Sequence, residues 1–362
     1  MKIMIVTDAW KPQVNGVVRT LQTTARELQA MGHTVDFLTP LEFSTLPCPT
    51  YPDIRLSLFP GGKVMRRVSD FDPDALHIAT EGPLGMAARR FALKRGLPFT
   101  TAYHTRFPEY VRARTGLPLT WTYAFLRWFH GPSGSVMAPT RVVKRDLESY
   151  GFRNVVTWTR GVDFDIFKPH RSERLKSDPP IFLYVGRVAV EKNIEAFLEL
   201  ALPGSKWVAG VGPALKGIQA RYPNVNYLGV LNQHELAQVY ASADVFVFPS
   251  KTDTFGLVLL EAMACGVPVA AFPVPGPVDV IEQGVTGVLH EDLAVAVPSA
   301  LKLDRSVCAQ RATAFTWDAA TAQFLAGLEP IPRALRATLA VRRSSVIISR
   351  MFARRAANGD AN

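Results

Sequence analysis

Two hydrophobic regimes alternate along this chain. Apolar runs of about four to six residues are followed by longer stretches whose apolar residues sit three and four apart. The short runs read as strands buried on both faces, the longer stretches as helices laid against them. "KIMIVTDAW" opens as a strand, and "KPQVNGVVRT" follows as a loop entering the helix "TTARELQAMGH", which Gly32 can close. "TVDFLTP" and "DALHIAT" are further strands. "GMAARRFALKRG" is a helix ended by Gly96, and "PFTTAYHT", "GSVMAPT" and "NVVTWTR" are three more strands. Strands and helices alternating at these lengths predict a parallel sheet covered on both faces.

The pattern breaks at "FKPHRSERLKSDPP", a charged run with three prolines, and then restarts. "IFLYVGR", "KWVAGVG", "VNYLGV", "DVFVFPS", "PVAAFP" and "GVLH" read as strands. "NIEAFLELAL", "QHELAQVYASA" and the apolar run after "TDTFG" read as helices. The class is therefore α/β, with two doubly wound, Rossmann-like domains facing a cleft. The expected boundaries are 1–168 for the first domain, 169–180 for a linker and 181–315 for the second domain. A helix over 316–330 is expected to pack back toward the first domain, and 331–362 is expected to be a basic tail, either disordered or membrane-associated. Open parallel sheets bind ligands beyond the carboxyl ends of their strands, so the chemistry should follow strands.

Totals narrow this picture. The 362 residues are 48% hydrophobic and 20% charged, enough for two real cores. The three cysteines are scattered, and no apolar stretch reaches about 18 residues. Together with a start that shows no cleavage signal, this leads to the expectation of a reduced, intracellular protein. The net charge of +10 is uneven. Residues 331–362 hold seven arginines against Asp360. Residues 83–131 hold eight Lys/Arg against Glu109, with ten aromatics interleaved. Such a balance suits nucleic acid or an anionic membrane, or is a solvated surface.

Candidate chemistry does follow strands. Gly186, Arg187 and Lys192 stand where a strand meets a helix, a place that suits a diphosphate. Gly210 and Gly212 in "GVGP" let backbone approach a ligand, or simply make a tight turn. In "PSKTDTFGLVLLEAMACGVPVAA", Thr254 is placed to cap a helix starting near Phe255 and Gly256, with Asp253 beside that turn. Glu261 lies inside an apolar helix, where its charge needs a partner: a ribose diol, or a buried arginine or lysine. A glycosidase pair is disfavoured, because the two acids stand eight positions apart with the second buried. Asn15 and Gly16 form the turn after the first strand. His104 follows a strand, and Arg160 and Asp163 stand just before the linker. No metal-ligand or nucleophile signature is present.

Taken together, "NGVVRT", "AYHT", "RGVDFDIFKP", "GRVAVEKN", "GVGP" and "TDTFGLVLLEAMACGVPV" give a chain that resembles the retaining glycosyltransferases of family 4, whose fold is GT-B. The likeness covers about 330 residues, and "NGVVRTL" with "TDTFGLV" is nearest the lipid-acting and mannose-transferring branch. The resemblance implies that Arg187 and Lys192 hold the donor diphosphate, and that Gly16 sits against the phosphates. Glu261 would bind the nucleotide ribose. Asp253 and the amides of Phe255, Gly256 and Leu257 would hold sugar and phosphate, and His104 would touch the donor sugar. Asn15, Arg160, Gly186, Gly210, Gly212 and Thr254 are grouped with the donor site. No metal and no cofactor are implied, since the nucleotide sugar is a substrate. The first acid of the motif is usually Glu and is Asp253 here, one methylene shorter.

The acceptor side is read from composition. "TGLPLTWTYAFLRWFHG" looks interface-seated, with Arg112, Arg114, Trp121, Arg127 and Trp128 as membrane or acceptor residues. The leading expectation is transfer of a hexose or hexuronic acid from a UDP- or GDP-sugar to a membrane lipid, such as diacylglycerol or a phosphoinositide. The enzyme would then sit peripherally on the inner face of the cell membrane. Alternatives are a GDP-mannose-dependent or other transferase using a soluble glycan or polyol, and a sugar-nucleotide-binding protein without activity. Nucleic acid is not an expected partner, and the sequence leaves the oligomeric state open.

Overall fold

The computed structural model describes residues 1–337, apart from 14, 49–50 and 171–177. Most of the proposed linker, the tail beyond 337 and the side chain of Arg114 lie outside the described residues.

In the first domain β1 (Lys2–Val6), β2 (Thr34–Leu38), β5 (Ala75–Ile78), β6 (Thr100–Ala102), β7 (Val136–Ala138) and β8 (Val155–Thr157) form one sheet. Its order is β2-β1-β5-β6-β7-β8, and every pairing is parallel. In the second domain β9 (Ile181–Val185), β10 (Ser205–Ala209), β11 (Asn226–Gly229), β12 (Val245–Phe248), β13 (Val269–Ala271) and β14 (Gly287–Leu289) form another. Its order is β11-β10-β9-β12-β13-β14, again all parallel. In each sheet the chain winds outward and then returns to the opposite side. This leaves one crevice between β1 and β5 and another between β9 and β12. The two crevices face the cleft of a GT-B fold, as the class predicted.

Three elements differ from the pattern reading. β3 (Thr45–Cys48) and β4 (Tyr51–Ser57) form an antiparallel hairpin, followed by a helix over Gly61–Phe71. The helix expected over 193–202 is one turn, Glu195–Leu198, after a 3₁₀ turn at Val190–Lys192. Pro203 and Gly204 follow it closely and stop its extension. The aromatic segment after Arg106 folds as two helices, Phe107–Thr115 and Leu119–His130.

Asp8, just past β1, fastens a neighbour. Its carboxylate accepts from the backbone N–H of Leu84 (2.9 Å) and Gly85 (3.2 Å), at the start of the helix Pro83–Arg95. Burial dominates and raises its pKa to about 6, against the pull of those hydrogen bonds.

The chain crosses between domains twice, and the two crossings touch. Val162 N–H donates to Phe315 O at 3.1 Å. A Cβ on Gly161 would collide with the Trp317 backbone, so only glycine permits this approach. Helix Trp317–Gly327 then lies on the first domain. Gln323 Oε1 accepts from Thr159 N–H at 2.8 Å, and Ser135 donates to Gly327 O at 2.6 Å. Beyond it Ile331 N–H bonds to Asp74 O, and Arg336 pairs with Asp72 and Asp74. Phe324 is fully buried against Trp158 and His77. Phe324→Ala is expected to cost about 3–5 kcal/mol in urea unfolding of the first domain. A loss below about 1 kcal/mol would show that this strap does not hold the core.

Candidate active site

The loops after β1, β9 and β12 meet in the cleft. Asn15 caps the helix Gly16–Ala30, accepting from Val17 N–H (3.1 Å) and Val18 N–H (3.0 Å). The helix Leu257–Ala264 begins opposite it, and a Cβ on Gly16 would sit 3.6 Å from Leu257 Cδ1. Two helix N-termini, one from each domain, therefore approach the same gap with their positive dipole ends.

Gly210 and Gly212 are required by the chain itself. A Cβ on either would collide with the backbone carbonyls of Gly186 and Val188, because the loops after β9 and β10 pack backbone to backbone. Gly256 has φ +84°, a left-handed conformation natural to glycine. That turn moves the helix start to Leu257 and leaves its first turn without a side-chain cap. The capping role expected of Thr254 is therefore corrected: its hydroxyl donates instead to His104 O, at 2.7 Å across the cleft.

Both acids of the motif carry a cation. Lys192 Nζ lies 2.6 Å from Asp253 Oδ1, and both side chains are about one-fifth exposed. Burial alone would lower the lysine's pKa. Asp253, with the Tyr110 and Tyr184 hydroxyls, more than offsets this and holds the ammonium above its ordinary range. Asp253 Oδ2 is buried with no hydrogen-bond partner, so half of this carboxylate still has acceptor capacity. Arg187 stands in the same loop, and its carbonyl accepts from Tyr184 OH at 2.8 Å.

Glu261 is buried in the apolar helix, 4% exposed at its side chain. Its partner is Arg19, on the first-domain helix, with Nη1 at 2.5 Å from Oε1. Tyr240 OH donates to Oε2 at 3.2 Å. Burial raises the Glu261 pKa, while Arg19 and the tyrosine hydroxyl pull it back. Arg19 also stacks over Phe167, 5.4 Å from the ring centre, and Gln233 lies beside its guanidinium. Around the pair is a polar cavity of about 40 Å³, lined by Thr23, Arg26, Asp163, Gln233 and Leu257 among others.

His104 is held neutral. Arg160 Nη2 lies 3.3 Å from its Nδ1. A guanidinium only donates, so Nδ1 accepts and the ring proton sits on Nε2. Nε2 is buried and has no partner. Burial and the Arg160 charge keep the imidazole pKa well below its usual value. Arg160 itself is buried against Trp158, donating to Trp158 O (2.5 Å) and Thr159 O (2.9 Å). Its guanidinium thus serves the backbone and His104.

The cleft brings together Asn15, Gly16, His104, Lys192, Asp253, Thr254, Leu257 and Glu261. Phe255 adds a buried ring to the second core. Arg112, Trp121, Arg127 and Trp128 stand apart, exposed on the two helices of the first domain. Sequence reasoning missed Arg19, whose one signal was a cation one turn inside an amphipathic helix that follows the first strand. It also missed Tyr110 and Gln233, which carry no local pattern. The neutral Nε2–H form of His104 is expected in ¹⁵N NMR, with no titration between pH 5.5 and 8. A ring titrating near 6.5 would contradict this geometry.

Comparison with known proteins agrees with the geometry. The family model "Glycosyltransferase Family 4" matches residues 14–166, and "Glycosyl transferases group 1" matches 165–296. The sulfoquinovosyl transferase of Arabidopsis thaliana is 30% identical over 312 residues, 76% of this chain. The chain spans 61% of that plant protein's length. A GDP-mannose-dependent alpha-mannosyltransferase of Mycobacterium tuberculosis is 30% identical over 316 residues, 80% of this chain and 83% of that protein. An alpha-monoglucosyldiacylglycerol synthase of Streptococcus pneumoniae is 28% identical, covering 83% of this chain and 78% of its own. Among solved structures, sucrose-phosphate synthase of Thermosynechococcus elongatus superposes with TM-score 0.73 at 21% identity, covering 89% of this chain and 97% of its own. The two matched halves, one cleft and relatives at 30% identity show that this chain belongs to glycosyltransferase family 4 and is a glycosyltransferase of the GT-B fold.

Proposed function

We propose that this glycosyltransferase moves a hexose or hexuronic acid, with retention, from a nucleoside-diphosphate sugar to a hydroxyl of a membrane lipid. The observation that carries the lipid reading is one helix face. On Leu119–His130 the inward residues are Tyr123, Leu126 and Phe129. Trp121, Phe125 and Trp128, spaced i, i+4 and i+7, face outward, with Trp121 69% and Trp128 51% exposed. Leu117 and Phe107 are exposed nearby in sequence, as are Arg112 and Arg127. An aromatic stripe with cations beside it suits a headgroup interface. Arg89 does not contribute charge there: it is buried, stacked 3.9 Å from the Trp128 ring centre and bonded to the carbonyls of Trp128 and Phe129. Among the described residues no helix is long and apolar enough to cross a membrane. A peripheral seat on the inner face fits this surface, and relatives named for sulfoquinovosyl and glucosyldiacylglycerol chemistry support a glycolipid product.

In this reading Lys192 and Arg187 take the diphosphate, together with the amides at the two helix starts. Glu261 accepts from the ribose diol, and Asp253 turns its open oxygen to the sugar. The His104 Nε2–H donates to a sugar hydroxyl. As the bond from the anomeric carbon to the diphosphate breaks, negative charge grows on the leaving oxygen, where these donors lie. The acceptor oxygen attacks on the same face and the leaving phosphate takes its proton. In this reading no step runs through a metal.

Two measurements test this. With labelled UDP- and GDP-sugars and a lipid extract, label is expected in the organic phase; label only on soluble glycans would favour the soluble-acceptor reading. Lys192→Ala is expected to lower kcat about 10²–10³-fold with a smaller change in donor affinity. An equal loss in both would count against this role, and lost affinity with kcat unchanged would assign Lys192 to ground-state binding alone.

A further inference from the structure

We infer that Arg19 is a positioning residue for donor recognition: reaching from the first domain, it keeps Glu261 ionised in the closed cleft, where the ribose diol is gripped. The inference rests on the reading of Glu261 as the diol acceptor. Glu261 sits on the second-domain helix Leu257–Ala264 among Leu259, Leu260, Ala262, Met263 and Ala264, all buried. Its own domain offers it one hydrogen bond, from Tyr240, and no cation within salt-bridge distance among the described residues. The charge that balances it comes from the other half of the molecule, at 2.5 Å.

A buried carboxylate without a counter-charge takes up a proton. The groups facing Glu261 are Arg19 on the first-domain helix, Tyr240 on Gln233–Ser242 and Cys265, just past the end of its own helix. Arg26 and Asp163 line the same cavity. Among the described residues only Arg19 is both positive and in contact. Remove it from the closed cleft, and burial acts on Glu261 unopposed by a cation. A protonated carboxyl accepts weaker hydrogen bonds than a carboxylate and loses one acceptor site. The carboxylate accepts about four hydrogen bonds, and Arg19 and Tyr240 use two, so capacity remains for a diol. Arg19 is itself held in place by Phe167 and Gln233.

The test is calorimetric titration of the full chain with UDP and GDP and with their 2′,3′-dideoxy counterparts, between pH 6 and 8.5. The wild type is expected to prefer the ribonucleotide at every pH. In Arg19→Met that preference is expected to fall about 10-fold or more at pH 6–7 and to recover as pH rises and Glu261 ionises. Dideoxynucleotide affinity should stay within about twofold, which general damage to the fold would not spare. Arg19→Lys should keep most of the preference. An Arg19→Met protein that binds ribonucleotide as well as wild type or better overturns the inference. So does one that loses ribo- and dideoxynucleotide binding alike. A wild type that does not distinguish the two nucleotides overturns the ribose reading of Glu261 and this inference with it. If Glu261→Gln loses the preference while Arg19→Met keeps it at all pH values, only the role of Arg19 fails.

Discussion

A carboxylate buried in an apolar helix has to be neutralised, and in this protein the neutralising charge comes from the opposite domain. Glu261 belongs to the second sheet's helix and Arg19 to the first sheet's. The pair therefore stabilises one domain arrangement as well as one side chain. Other contacts across the cleft agree with that arrangement. Thr254 donates to His104 O, and Asp279 accepts from Val142 N–H at 3.1 Å, at the start of a first-domain helix. Each of these bonds joins the second domain to the first.

The same logic organises the second acid. Lys192 and Asp253 come from adjacent loops at the β9/β12 crevice, where the sheet order turns back on itself. Lys192 balances the charge of Asp253 through Oδ1 and leaves Oδ2 open. A diphosphate would bring Lys192 a stronger anion, and a sugar would bring hydroxyls to Asp253. The neutral His104 fits beside them because Arg160, turned inward, fixes its proton on Nε2. Charges in this cleft are matched before any ligand arrives, which reduces the reorganisation left for the reaction.

The twelve sheet strands were legible in sequence because parallel strands buried on both faces are short apolar runs with turns at each end. The hairpin of β3 and β4 was not: Pro47, Cys48 and an exposed Leu46 give no alternation to read. The helices after Arg106 were visible as composition only, since their aromatic residues point both inward and outward. At the site, the acids, glycines, Lys192 and His104 could be found because they follow strands. Their partners could not. Arg19 lies 242 positions from Glu261, and the turn at Gly256 that diverts Thr254 to His104 depends on a left-handed backbone no local pattern announces.

The most direct measurement is hydrogen–deuterium exchange of the full chain with and without a nucleoside diphosphate that binds it. If one cleft holds the ligand between both domains, protection rises together over 15–19, 186–192 and 253–261. Protection confined to the second domain, with 15–19 exchanging as before, would contradict a site closed by both halves of the molecule.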